Sequence, residues 1–306
     1  MTRRPTRLDK KFDLLREKTE RGALKAASSN RALNKLASNK LAVLGLAFVT
    51  IMILSSVFAP LVTQYDPQKV DLRMMLKPPS ADHILGTDKI GRDVFARIIY
   101  GGRISILVGL GSALGAALIG VSIGAYTAYK GGWLDSTFLR ISEVVMSFPQ
   151  IILVLMLVTI LGQSLMNLII IFTLTGWGSL YRLTRAQMLS LREEEYVQAL
   201  RAFGLNTFTI CFKHILPNAL GPIMVNITLS TAMFILQEAG LSFLGLGVPL
   251  NIPTWGNILN VAQDLRILQN YWWVWLPSAM TISLFVLAIN FVGDGLRDTT
   301  DPTMQG

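Results

Sequence analysis

The stretch VVMSFPQIILVLMLVTILGQSLMNLIIIFTLTGWGSLY, residues 144–181, runs for 38 residues without an Asp, Glu, Lys or Arg. A membrane-crossing helix needs roughly 20 such residues, so this run is long enough for two. Gly162-Gln163-Ser164 divides it at a short turn and predicts helices over 144–161 and 165–181. Outward from this run, further charge-free runs occupy 41–65, 104–129, 219–237 and 274–293, which brings the expected number of spans to six. Only 15% of the residues are charged and the mean hydropathy is +0.49. The expected fold class is therefore an all-α integral membrane protein with six transmembrane helices.

An even number of spans puts both termini on one side, and the distribution of Lys and Arg decides which. With the N-terminus inside, 20 of the 28 basic residues fall in the inner segments 1–40, 130–143, 182–218 and 297–306. The outer segments 63–103, 162–164 and 247–273 hold the other 8. Both termini are expected in the cytoplasm, although loop 63–103 is rather basic and only partly offset by Asp66, Asp71, Asp82, Asp88 and Asp93. The chain then divides into a basic N-terminal segment 1–40, a first span 41–62, an extracytoplasmic loop 63–103, a five-helix core 104–296 with a cytoplasmic loop 182–218, and a tail 297–306. No cleavable leader is expected, because some 40 residues precede the first span. Leu8, Phe12 and Leu15 form an apolar stripe that suits a helix on an anionic leaflet, or belong to a tail that merely orients the chain. Cys211 is the only cysteine, so no internal disulfide is expected.

After Tyr181 the chain turns charged and sharply punctuated, reading SLREEEYVQALRAFGLNTFTICFKHILPN over 190–218. Ser190 and Glu193 have capping-box spacing, and Gly204 stands where a left-handed C-terminal cap is wanted. Between them Tyr196, Leu200 and Phe203 form an apolar stripe beside Glu194 and Arg201. Asn206 or Thr207 can cap a second helix, which Pro217 would close or kink. The expected product is a helix, a glycine turn and another helix. Its apolar face needs a partner, or folds back on the bundle or the lipid surface.

This spacing resembles the loop of membrane subunits in ATP-binding-cassette importers, which reads E-A-A, three residues, G, nine residues, then I-x-L-P. Gln198-Ala199-Leu200 stands at the first position, Gly204 at the glycine, His214 at the Ile, and Leu216-Pro217 at the end, with Gln198, Leu200 and His214 departing from the pattern. LGTDKIGRDVFARIIYGGRISILVGL at 85–110, QEAGLSFLGLGVPLNIPTWGNIL at 237–259 and NFVGDGLRD at 290–298 are similar to the C-type permease subunit of the dipeptide, oligopeptide and nickel importers. The resemblance covers about residues 36–302. It implies a type I (MetI-like) permease fold in a bacterial inner membrane and an amphipathic loop that couples to a separate ATPase through Tyr196, Gln198, Ala199, Leu200, Arg201, Phe203, Gly204, Leu216 and Pro217. The implied partners are a homologous second permease, two cytoplasmic ATP-binding subunits, an extracytoplasmic binding protein and a peptide substrate, with no nucleic acid. The sequence itself has no G-x-x-x-x-G-K-[ST] loop, so ATP and Mg are expected on the partner subunits and no cofactor on this chain.

Asn226, Ser230, Met233 and Gln237 fall on one helical stripe and are candidates for lining the translocation pathway, or for bonding between helices in a packed bundle. Ser112, Ala116, Gly120 and Gly124 form a small-residue face suited to close helix packing. His83 and His214 lie on opposite sides of the membrane, which argues against a transition-metal site built by this chain. Nickel or glutathione import remains open beside peptides. An ion-coupled secondary carrier, the alternative from another class, would want ionisable residues at membrane depth, and the expected span centres contain none.

Overall fold

The computed structural model describes Ala37 and residues 39–300, so the stripe Leu8, Phe12 and Leu15 and the tail beyond Thr300 lie outside the described residues. The first helix, α1 (Lys40–Val57), starts on an Asn39 cap that accepts from the Ala42 amide. A short turn of helix, α2 (Ala59–Val62), follows it. The next span begins ten residues before the charge-free run: α3 (Val94–Lys130) is 37 residues long and capped by Asp93, so residues 94–103 of the expected outer loop are helical. Two basic residues of that loop are thereby used internally. Arg97 is buried beside Asp88, and Arg103 donates to the Ser56 and Val57 carbonyls that α1 leaves open at its end.

The stretch 144–161 forms no single helix. Helix α4 (Gly132–Met146) and helix α5 (Gln150–Leu161) meet at an angle of 84° and together form one bent, membrane-length pair. Pro149 causes the break, because it supplies no amide hydrogen and forces Phe148 out of the helical region. Much of the expected inner loop 130–143 is thus helix, fastened by a bidentate Asp135–Arg185 ion pair at 2.7 and 2.6 Å. The turn at 162–164 forms as expected, with Gly162 at φ 81° and Ser164 capping α6 (Leu165–Leu191).

Helix α6 runs parallel to α3 through the middle of the molecule. Ser112, Ala116, Gly120 and Gly124 are all buried on α3. A Cβ on Gly120 would come within 2.6 Å of the Trp177 carbonyl, so the small face is a packing seam. Beyond α6 come α7 (Glu195–Ala202), a single turn α8 (Thr207–Thr209), a π-helical turn over Ile210–Ile215 and α9 (Leu216–Phe243). Pro217 neither closes nor breaks this run. The chain is helical from Thr207 to Phe243, and Pro217 comes just after the π-helical turn, a local adjustment of the kind that accommodates a missing amide hydrogen inside a helix. The chain then passes through α10 (Trp255–Leu259) and α11 (Leu265–Asn270) into α12 (Trp272–Thr300). The Asn39 amide donates to Asp298 at 3.2 Å, which brings the start of α1 and the end of α12 to one end of the bundle.

Among the described residues the fold is helical, with four helices long and apolar enough to cross a membrane and a fifth crossing if the bent pair counts as one. Six separate spans are not seen directly, because α6, which carries Asn167, Arg182 and Arg185, is not among the helices apolar enough to count as a crossing. Glu238, which ends the charge-free run within α9, is wholly buried, held by Ser105 at 3.1 Å and Ser242 at 2.7 Å.

Candidate functional site

Helix α7 begins at Glu195, with Glu194 before it making no side-chain cap, so the Ser190–Glu193 capping box does not form. The reason is that α6 continues through Ser190 to Leu191 and already satisfies those amides. At the other end Gly204 adopts φ 75°. The Leu205 amide reaches back to the Leu200 carbonyl at 3.3 Å, the long bond of a Schellman closure. Asn206 then caps the following turn by accepting from the Thr209 amide at 2.7 Å.

Val197, which the sequence reading passed over, fixes the helix to the bundle. It is fully buried in a cluster with Ala125, Ala128 and Tyr129 of α3, Met188 of α6, and Ile210, Cys211 and Ile215. Burial of a valine contributes about 2 kcal/mol. Leu200 packs against the same cluster. Arg201 leans back across the Tyr129 ring at 5.0 Å and donates from Nε to its hydroxyl at 3.1 Å. The expected stripe is therefore split. Leu200 is half-buried and turns inward, whereas Gln198, Ala199, Arg201, Ala202 and Phe203 stand exposed, Phe203 by 81%. Tyr196 is partly exposed and accepts from the Asn218 amide at 3.2 Å. Leu216 is half-buried against the cluster and Pro217 is exposed. A shift of α7 would be felt at the ends of α3 and α6 and at the start of α9 together.

The second candidate region lies at the α4–α5 break. The Gln237 side-chain amide donates to Gln150 Oε1 at 3.1 Å, and Gln150 Nε2 approaches Thr175 Oγ1 at 3.4 Å. Phe148, Gln150, Thr175 and Ser179 border a depression of about 220 Å³ there. Gln150 and Thr175 escaped the sequence reading, although a proline inside an apolar run is a signal of a broken span and of polar groups gathered at it. The rest of the stripe is less convergent. Ser230 bonds Asn226 on its own helix at 3.4 Å, and Met233 is 55% exposed.

At the opposite end of the bundle from Asn39, residues 63–68, Tyr100, Arg103, Ile252 and Pro253 surround a depression of about 640 Å³. Trp255 and Asn257, in the same predicted outer segment 247–273, are buried. Trp255 is a core residue that donates from Nε1 to the Ile98 carbonyl at 3.0 Å. Asn257 is buried, with its amide donating to the Val248, Pro249 and Ile252 carbonyls. His83 is held by Asp93 at 2.8 Å and stacks near Tyr65.

Residues 116–306 match the family model described as the binding-protein-dependent transport system inner membrane component. Residues 29–79 match the N-terminal transmembrane domain of oligopeptide transport permease C. A putative peptide permease protein of Brucella suis is 42% identical over 275 residues, covering 90% of this chain and 91% of that protein. The dipeptide transport system permease protein of Alkalihalophilus pseudofirmus is 41% identical over 274 residues, 90% of each chain. The oligopeptide transport system permease protein of Bacillus subtilis is 40% identical over 274 residues, 90% of this chain and 89% of that one.

Proposed function

This chain belongs to the family of binding-protein-dependent transport system inner membrane components, and from that premise we propose that it is the permease subunit of an ATP-driven importer of dipeptides or oligopeptides. The observation that carries this reading is the state of α7: anchored by Val197 and Arg201, closed by Gly204, and bare on the face of Gln198, Ala199, Ala202 and Phe203. A rigid helix with an unpartnered outer face suits a load-bearing contact with a cytoplasmic ATP-binding subunit. Two such subunits, carrying ATP and Mg, act on this chain and on a homologous second permease. An extracytoplasmic binding protein delivers the peptide to the opposite face.

In this reading the chain crosses a bacterial inner membrane six times, with both termini cytoplasmic. The bent pair α4–α5 and helix α6 supply the third and fourth crossings. The basic character of loop 63–103 does not oppose this orientation, since Arg97 and Arg103 serve internal contacts. ATP-driven closure would push α7, and the Val197 cluster would pass the displacement to α3, α6 and α9. The pathway would then open where Gln150, Thr175 and Gln237 meet, because polar side chains at membrane depth are tolerated beside water or other polar groups.

The test is uptake of a labelled peptide by proteoliposomes holding the complete complex and the binding protein, with nickel and glutathione as competitors. The expected result is ATP-dependent peptide uptake that Ala199→Arg abolishes without loss of the chain from the membrane. Uptake of nickel or glutathione in preference to peptide would overturn the substrate, and normal uptake by the variant would overturn the role of α7.

A further inference from the structure

Behind the exposed face of α7, on the side turned toward the bundle, lies a depression of about 520 Å³ bordered by Tyr129, Lys130, Arg192, Glu193, Arg201 and Thr207. Three cations meet one carboxylate there. Arg192 donates from Nε to Glu193 at 2.8 Å and from Nη1 to the Ala128 carbonyl at 2.9 Å. Arg201 bonds only the Tyr129 hydroxyl through Nε, which leaves its terminal nitrogens available to a ligand. Lys130 rests over the Tyr126 ring at 5.8 Å. Among the described residues, no carboxylate pairs with Lys130 or Arg201.

The depth of this depression is fixed by its neighbours. Lys130 is the last residue of the long apolar helix α3, and two glycines in the left-handed region turn the chain into Trp133, which is 76% exposed. An exposed tryptophan beside tyrosines and a lysine, at the point where a span ends, marks the headgroup level of a bilayer. Gln198, Ala199 and Ala202 on the exposed face of α7 do not border the depression, which takes only Arg201 from that helix.

We propose that this depression binds the phosphate of an anionic phospholipid headgroup, with Lys130 and Arg201 as its charged contacts and Arg192 as a third donor. A headgroup seated there would brace Arg201 against α3 and so stiffen the junction between α7 and the bundle. The proposal requires only that the chain is embedded in a membrane, and it is independent of the direction or substrate of transport.

The detergent-extracted complex containing this chain is to be exchanged into mixed phosphatidylglycerol and phosphatidylcholine micelles, and the lipid it retains read by native mass spectrometry. Wild type should retain phosphatidylglycerol over phosphatidylcholine. Lys130→Glu should retain at least roughly fivefold less, because loss of one cation near an anionic surface already weighs that much and the new carboxylate repels the phosphate, and Lys130→Arg should restore retention. Inorganic phosphate added to phosphatidylcholine micelles should not reproduce the bound mass. Equal phosphatidylglycerol retention by wild type and Lys130→Glu would overturn the proposal. So would binding of free phosphate in place of lipid, or a loss of co-purifying subunits in Lys130→Glu at every lipid composition, which would assign the depression to a protein partner.

Discussion

Gly204 shows how much a single residue can reveal from sequence. Its place at the end of the helix predicts a left-handed position, and φ is 75°. A Cβ there would meet nothing within 4 Å, so substitution is opposed by backbone conformation alone. Gly204→Val should therefore cost roughly 1 kcal/mol or more of local strain, leave membrane insertion intact and uncouple ATP hydrolysis from uptake. Gly204→Asn, which tolerates the same region, should retain most coupling. Simultaneous measurement of ATPase activity and uptake in proteoliposomes distinguishes these outcomes, and full uptake by the valine variant would contradict the role given to the turn. Val197 was not legible, because a valine flanked by a tyrosine and a glutamine looks no more buried than its neighbours until the cluster around Cys211 is assembled. Ser230 is half-buried and bonded within its own helix. If it lines the route, Ser230→Leu should block uptake at normal complex yield with ATP hydrolysis retained, whereas a fall in yield returns it to helix packing.

Among the elements, the span ends were read less well than the spans. The run 144–181 correctly places the turn at Gly162–Ser164, but counting charges alone overlooked Pro149, which splits the first half into α4 and α5. Charge also misled at the ends of α3 and α4. Arg97, Arg103 and Asp135 are helical residues whose charges are met by Asp88, by the carbonyls at the end of α1 and by Arg185, pairings that only the folded chain shows. The Asp135–Arg185 pair is mostly shielded, with side-chain exposures of 12% and 25%. Removing one partner should thus cost about 2 kcal/mol, less than for a fully buried pair. Asp135→Ala should lower the thermal midpoint of the detergent-solubilised complex by several degrees, and the exchange Asp135→Arg with Arg185→Asp should recover part of it. An unchanged midpoint in Asp135→Ala would show that α4 is held by its apolar face alone.

For the whole molecule, an apolar all-helical chain with both described ends at one end of the bundle was legible, because lipid demands long runs of the same chemistry. Its orientation is testable from outside. Cys211 is buried and should stay silent, so cysteines introduced at the exposed Ser80 and Gln269 report alone. Both should react with an impermeant thiol reagent in intact cells, and labelling only after permeabilisation would invert the topology. The central claim is that α7 carries the load between an ATP-binding subunit and the transmembrane helices. The most direct measurement is cross-linking from single cysteines at Ala202 and Leu200 in a Cys211→Ala background of the assembled complex. The account predicts a cross-link to the ATP-binding subunit from Ala202, which is exposed, and none from Leu200, which packs into the bundle. A cross-link from Leu200 with none from Ala202 would contradict it.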